Sequence, residues 1–212
     1  MNENNNLQSI GQELKSHAIV LGGFLVFMWL LEVFDWLIPG VALDAYGVRP
    51  RTIIGLRGIA FAPFLHVGFA HLIANSIPFV VLGWFVMMRR LRDFAWVTLL
   101  VALVSGAGIW LFGARNSVHL GASSLIFGYF GFLLLRGYFE RSPRSIFFSV
   151  IVAVLYGGLI WGVLPQANGI SWQGHLFGFL GGAWAAYLLA ERGADLLATA
   201  DPLSDQIRIL GD

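Results

Sequence analysis

Six stretches of this chain, roughly residues 18–37, 72–88, 94–112, 122–135, 146–164 and 176–190, are long apolar runs of spanning or near-spanning length. A hydrocarbon layer about 30 Å thick takes about 20 helical residues to cross, and only helices or closed barrels satisfy their backbone inside it. With 58% hydrophobic and 12% charged residues the chain reads as an all-α, polytopic membrane protein with six transmembrane helices. An even number of crossings puts both ends on one side. Lys15, Arg89, Arg90, Arg92, Arg136, Arg141, Arg144, Arg192 and Arg208 fall on that side, against Arg49, Arg51, Arg57 and Arg115 on the other. The excess of positive charge predicts a multi-pass protein of the cell membrane with both termini cytoplasmic. Residues 1–17 then form a cytosolic tail, 18–190 the membrane core and 191–212 a second cytosolic tail. The start, "MNENNNLQSIGQELK", lacks the basic head and early apolar core of a secretory signal.

Zero cysteines exclude disulfides, thiol nucleophiles and cysteine zinc sites, and a net charge of +1 gives no reason to expect a nucleic-acid partner. Between the first two runs lies "PGVALDAYGVRPRTIIGLRGIAFAPFLHVGFAH", too apolar for a free linker and expected to lie in or against the membrane interface. Glu32 and Asp35 close the first run; snorkelling or bonding to the adjacent loop explains them better than a proton relay.

Three groups of polar residues interrupt the apolar runs. Thirteen residues separate Ser123 from Arg136, a helical rise of about 20 Å, and His175 to Glu191 rises about 24 Å. Both runs are therefore short, and with their basic or acidic ends at the cytoplasmic boundary, Ser123 and His175 start helices at similar depth below the outer surface. Glycine spacing is the second feature. His175, Gly178 and Gly182 run i, i+3, i+7 on one helical face, and Ser123, Phe127 and Gly131 run i, i+4, i+8 on another. If those thinned faces meet, the imidazole reaches the hydroxyl. Third, "HVGFAHLIAN" places His71 and Asn75 at i, i+4, where both can donate to a developing oxyanion, while His66 points elsewhere and pins the preceding loop. Each group alone has a plainer reading: small-residue packing, a proton or metal role for one histidine, a satisfied interhelical bridge. A metal site fits less well, because His71 and His175 lack a third nearby ligand.

At these residues the sequence resembles the rhomboid intramembrane serine proteases. The segment "GASS" stands for the family's Gly-x-Ser-x, "HVGFAHLIAN" for His-x4-His-x3-Asn, and "GHLFGFLGG" for His-x2-Gly-x3-Gly, in the family's order along the chain. The resemblance implies a six-transmembrane-helix rhomboid-like bundle with a long membrane-associated first loop. It also implies Ser123 as nucleophile, His175 as general base, and His71, Asn75 and the Ser123 backbone N–H around the oxyanion, with Gly121, Phe127, Gly178 and His66 in support. The chain departs from the family in three places: Arg57 lacks the tryptophan that often precedes it, Phe127 replaces a tyrosine, and Ser124 follows the nucleophile where glycine is frequent.

The expected chemistry is amide hydrolysis by a Ser–His dyad, since no carboxylate sits in the matching segments. It needs no cofactor or metal. The expected substrates are transmembrane segments of other proteins, reached through the lipid bilayer and unwound locally at weak helix formers. Two other classes fit the composition: an inactive relative that binds membrane clients, and a small transporter or channel whose path is lined by His71, Asn75, Ser123 and His175.

Overall fold

The computed structural model describes residues 3–38, 40–165 and 171–200. Helix α1 (Glu3–Leu37) is followed by a winding connection that contains the short helix α2 (Gly58–Phe61). Then come α3 (Phe69–Met87), α4 (Leu91–Phe112), α5 (Ser123–Glu140), α6 (Pro143–Tyr156) extended by a 3-10 segment (Gly157–Val163), and α7 (Trp172–Ala200). No strand forms among the described residues; one isolated antiparallel bridge joins Val48 to His119. The helices overlie all six apolar runs, but α1 starts within the expected N-terminal tail and α7 continues into the expected C-terminal one, whose residues 201–212 lie outside the described part.

Among the described residues, four segments are long and apolar enough to cross a membrane: Ile10–Leu37, Phe69–Met87, Leu91–Phe112 and Pro143–Val163. Two of them carry their apolar side chains on the outside, Phe27, Leu30 and Phe34 on α1 and Phe147, Val150 and Val154 on α6. A water-soluble fold would bury such faces; lipid solvates them. Helix α5 is the opposite case, with every residue from Ser124 to Leu133 buried. It is the axle of the bundle, and its polar groups are satisfied internally. The Tyr129 hydroxyl meets Thr98 Oγ1 at 2.8 Å, and Ser149 Oγ donates to the Leu133 carbonyl while accepting from the Gly137 N–H.

Glycine sets how closely α7 lies on α5. A Cβ on Gly182 would stand 1.8 Å from the Gly128 carbonyl oxygen, one on Gly178 2.3 Å from that of Ser124, and one on Gly131 2.5 Å from that of Phe179. The two backbones touch along the faces that the sequence spacing picked out, as small-residue interfaces in lipid do. At the far end of α5 a charged cluster joins three helices to the turn between α3 and α4: Arg89 in that turn pairs with Asp93 and Glu140, Arg136 pairs with Glu140, and Arg89 Nη2 donates to the Leu189 carbonyl.

The connection between α1 and α3 is a folded cap. Asp35 Oδ1 accepts from the Leu43 N–H at 2.7 Å, the loop-bonding role expected of it. Arg57, without a tryptophan beside it, lies 4.1 Å over the Tyr46 ring and donates to the Ala45 carbonyl. Val48 exchanges two backbone hydrogen bonds with His119, so the cap is stitched to the strand-like approach to α5.

Candidate active site

Ser123, His175, His71, Asn75 and Phe127 line one cavity of about 540 Å³, to which the 117–120 segment and Leu159 also contribute. Each side chain reaches it for a local reason.

Ser123 is the first residue of α5, where backbone N–H groups have no intrahelical acceptor and the dipole is positive. The turn that delivers it is built on Gly121, at φ +119, a conformation that side chains rarely adopt. A Cβ there would also fall 2.6 Å from His71 Cε1 and 3.7 Å from Asn75 Nδ2. The missing side chain is thus what lets the His71 ring and the Asn75 amide approach the turn. Asn75 is buried, and its Nδ2 has no hydrogen-bond partner among the described residues, an orphan donor of the kind native proteins rarely keep without use. The adjacent Ser124 is buried with its carbonyl under Gly178, and it does not line the cavity.

His66 pins the same turn from behind, with Nε2 accepting the Ala122 N–H at 3.3 Å and its ring edge-on to His71 at 5.1 Å. The sequence assigned it to the loop before α3; its bonded partner is the turn into α5. Burial, with the neighbouring His71 in second place, pushes its pKa down to about 4, so the ring is neutral and able to accept.

His175 sits in the first turn of α7. Its Nδ1 lies 3.0 Å from the Gly162 carbonyl oxygen. A carbonyl only accepts, so this contact fixes the proton on Nδ1 and leaves the lone pair on Nε2. The Phe127 ring lies parallel on the imidazole at 3.9 Å, with the planes 5° apart. Gly162 is pressed against the same pair, since a Cβ on it would stand 2.5 Å from Phe127 Cζ and 3.5 Å from His175 Nδ1.

Four contributors, Gly162, His119, Ser171 and Pro78, lie outside the polar groups that the sequence singles out. Gly162 lies in the 3-10 segment after α6, in a run that reads as plain membrane helix. His119 is buried; Nε2 meets Ser117 Oγ at 2.7 Å and Nδ1 meets Ser171 Oγ at 2.6 Å, and burial lowers its pKa. Ser171 in turn caps α7, its Oγ accepting from the Gly174 N–H and its carbonyl from the His175 N–H. Pro78 has no N–H to give the Ala74 carbonyl, so α3 lacks one helical hydrogen bond where both residues line the cavity. The signals existed, a histidine two residues before "GASS" and a proline inside a helix, but their partners lie far along the chain.

No Asp or Glu lines the cavity, and no group of three His, Cys, Asp or Glu side chains among the described residues could hold a metal ion. The arrangement offers a hydroxyl at a helix N-terminus, a neutral imidazole of fixed tautomer, and amide and imidazole donors converging on one small space.

The Rhomboid domain family model matches residues 55–192, which take in the second half of the cap, every residue that lines the cavity and most of α7. An uncharacterized protein of Mycobacterium tuberculosis (strain H37Rv) is 41% identical over 89% of this chain and 85% of its own length. One from Mycobacterium leprae is 41% identical over 88% of this chain and 76% of its own. A Bacillus subtilis protein with the name "Putative rhomboid protease" is 28% identical over 79% of this chain and 89% of its own.

Proposed function

The chain belongs to the rhomboid family and is a multi-pass membrane protein; from that premise we propose that it is an intramembrane serine endopeptidase that cleaves transmembrane segments of other proteins through a Ser123–His175 dyad. In this reading all six long helices cross the cell membrane with both termini in the cytoplasm, and the cap between α1 and α3 lies in the outer interface. With Arg136 and Glu191 at the cytoplasmic boundary, Ser123 and His175 stand about 20 and 24 Å from it along their helices, so the cavity opens below the outer surface.

The observation that carries the proposal is the His175 contact with Gly162. A general base must keep an unprotonated nitrogen on the reacting side, and a histidine without a carboxylate partner needs something else to hold its tautomer. The Gly162 carbonyl supplies that, and Phe127 fixes the ring plane.

In the first step Ser123 Oγ attacks the scissile carbonyl carbon while its proton passes to His175 Nε2. The carbonyl oxygen becomes an oxyanion beside the Ser123 N–H, Asn75 Nδ2 and His71. Collapse breaks the C–N bond, His175 returns its proton to the leaving amine, and an acyl-enzyme remains. Water, deprotonated by the same nitrogen, then releases the acid and restores the serine. Each oxyanion donor is worth about 10²–10³ in rate in other acyl-transfer enzymes. The substrate helix has to unwind before its carbonyl reaches Ser123.

The test is turnover of a fluorescent transmembrane substrate by the purified protein in liposomes. Cleavage that survives both Ser123→Ala and His175→Ala would refute the dyad, and so would the lack of any cleavage together with ion or solute flux.

A further inference from the structure

Four arginines lie on the side of the chain that the charge rule leaves poor in them, and one of them, Arg57, is stacked on Tyr46. The other three, Arg49, Arg51 and Arg115, line a single cavity of about 430 Å³ with Thr52, Asn116 and Ser117. No Asp or Glu lines it, and none of the three arginines is in an ion pair among the described residues. Like charges gathered in one hollow repel each other, and no acidic side chain lines it to offset them.

The local fold holds the cationic groups there. Arg51, at φ +56, donates to the Leu111 and Gly113 carbonyls at the end of α4. The Arg49 backbone is clasped by Gly55, whose missing Cβ would lie 2.1 Å from the Arg49 carbonyl oxygen, and the buried Arg49 Nε has no hydrogen-bond partner. The cavity lies where the apolar α4 ends, beside Leu111 and Phe112, 51% and 63% exposed, and Ile53, 89% exposed. A charged head on the arginines with acyl chains along those side chains satisfies both surfaces at once. A soluble anion would leave the apolar rim uncovered.

We propose that this cavity binds the phosphodiester headgroup of an anionic phospholipid. Guanidinium groups match phosphate oxygens in geometry as well as charge. The site is separate from the proposed dyad and stands without it, but Ser117 and Val118 line both cavities, so an occupied lipid site would brace the segment that leads into Ser123.

The test is native mass spectrometry of the full chain in detergent, titrated with phosphatidylglycerol or phosphatidylcholine. One phosphatidylglycerol is expected to be retained, about tenfold more tightly than phosphatidylcholine. Arg115→Gln, an exposed position, and Arg49→Gln are each expected to abolish that preference, with Arg115→Gln melting as the wild type does. The same binding by Ser123→Ala keeps this result independent of catalysis. Equal retention of the two lipids, retention unaffected by both substitutions, or displacement by millimolar inorganic phosphate alone would overturn the proposal. So would normal lipid retention in Arg115→Gln accompanied by lost cleavage of substrates with acidic residues outside the membrane, which would make the arginines substrate contacts.

Discussion

Phe127 lies flat on His175, 3.9 Å between ring centres, with Gly162 closing the sandwich at its edge. An alanine Cβ at position 162 would need the space occupied by Phe127 Cζ, so either the ring tilts or the 3-10 segment withdraws and takes the His175 Nδ1 acceptor with it. Gly162→Ala is therefore expected to lower kcat at least tenfold with a smaller effect on KM, read in single-turnover and steady-state cleavage. Unchanged kcat would show that neither the stacking nor the carbonyl contact matters to the base.

Replacing Gly182 by alanine puts a methyl group 1.8 Å from the Gly128 carbonyl oxygen, backbone against backbone. Overpacking of this kind costs about 1–3 kcal/mol. Gly22→Ala, where nothing lies within 4 Å, is the control and is expected to be neutral or slightly stabilising. Thermal unfolding in detergent separates the two; equal melting temperatures would mean that α5 and α7 are not packed on their glycines.

The glycine faces and the polar triplets were legible because they are local and periodic: Ser123 to Gly131, His175 to Gly182 and His71 to Asn75 each lie within two or three helical turns. What the sequence could not supply depends on chain segments meeting across the fold. Gly162 touches Phe127, thirty-five positions earlier, and His119 meets Ser171 with its side chain and Val48 of the cap with its backbone. Apolarity also hid the end of α6, because Gly157–Val163 has a membrane composition and a 3-10 backbone. Of the two adjacent serines, the i, i+4, i+8 spacing with Phe127 and Gly131 favours Ser123, a reason that depends on which helix faces meet. Burial of Ser124 beneath Gly178 supplies a second.

His66 carries the pH dependence. Its folded pKa, about 4, lies below the ordinary 6.5, so between those values the unfolded chain binds the proton that the folded one refuses. The stabilisation it gives is present above pH 6.5 and is lost as pH falls toward 4. The melting temperature should drop across that window in the wild type and drop less in His66→Gln. A wild-type profile flat from pH 7 to 4 would contradict the buried neutral acceptor.

His119 positions Ser171 and, through it, the first turn of α7. His119→Ala is expected to reduce kcat by a moderate factor and to broaden amide exchange at the N-terminus of α7, with serine labelling retained. Full activity with unaltered exchange would leave His119 as a loop residue only.

The central claim is that His175 activates Ser123. The direct measurement is labelling of the purified protein by a fluorophosphonate, with the adduct located by mass spectrometry. The account predicts a single adduct on Ser123, none in Ser123→Ala and a labelling rate at least a hundredfold lower in His175→Ala. An adduct on another serine, or equal rates with and without His175, would contradict it.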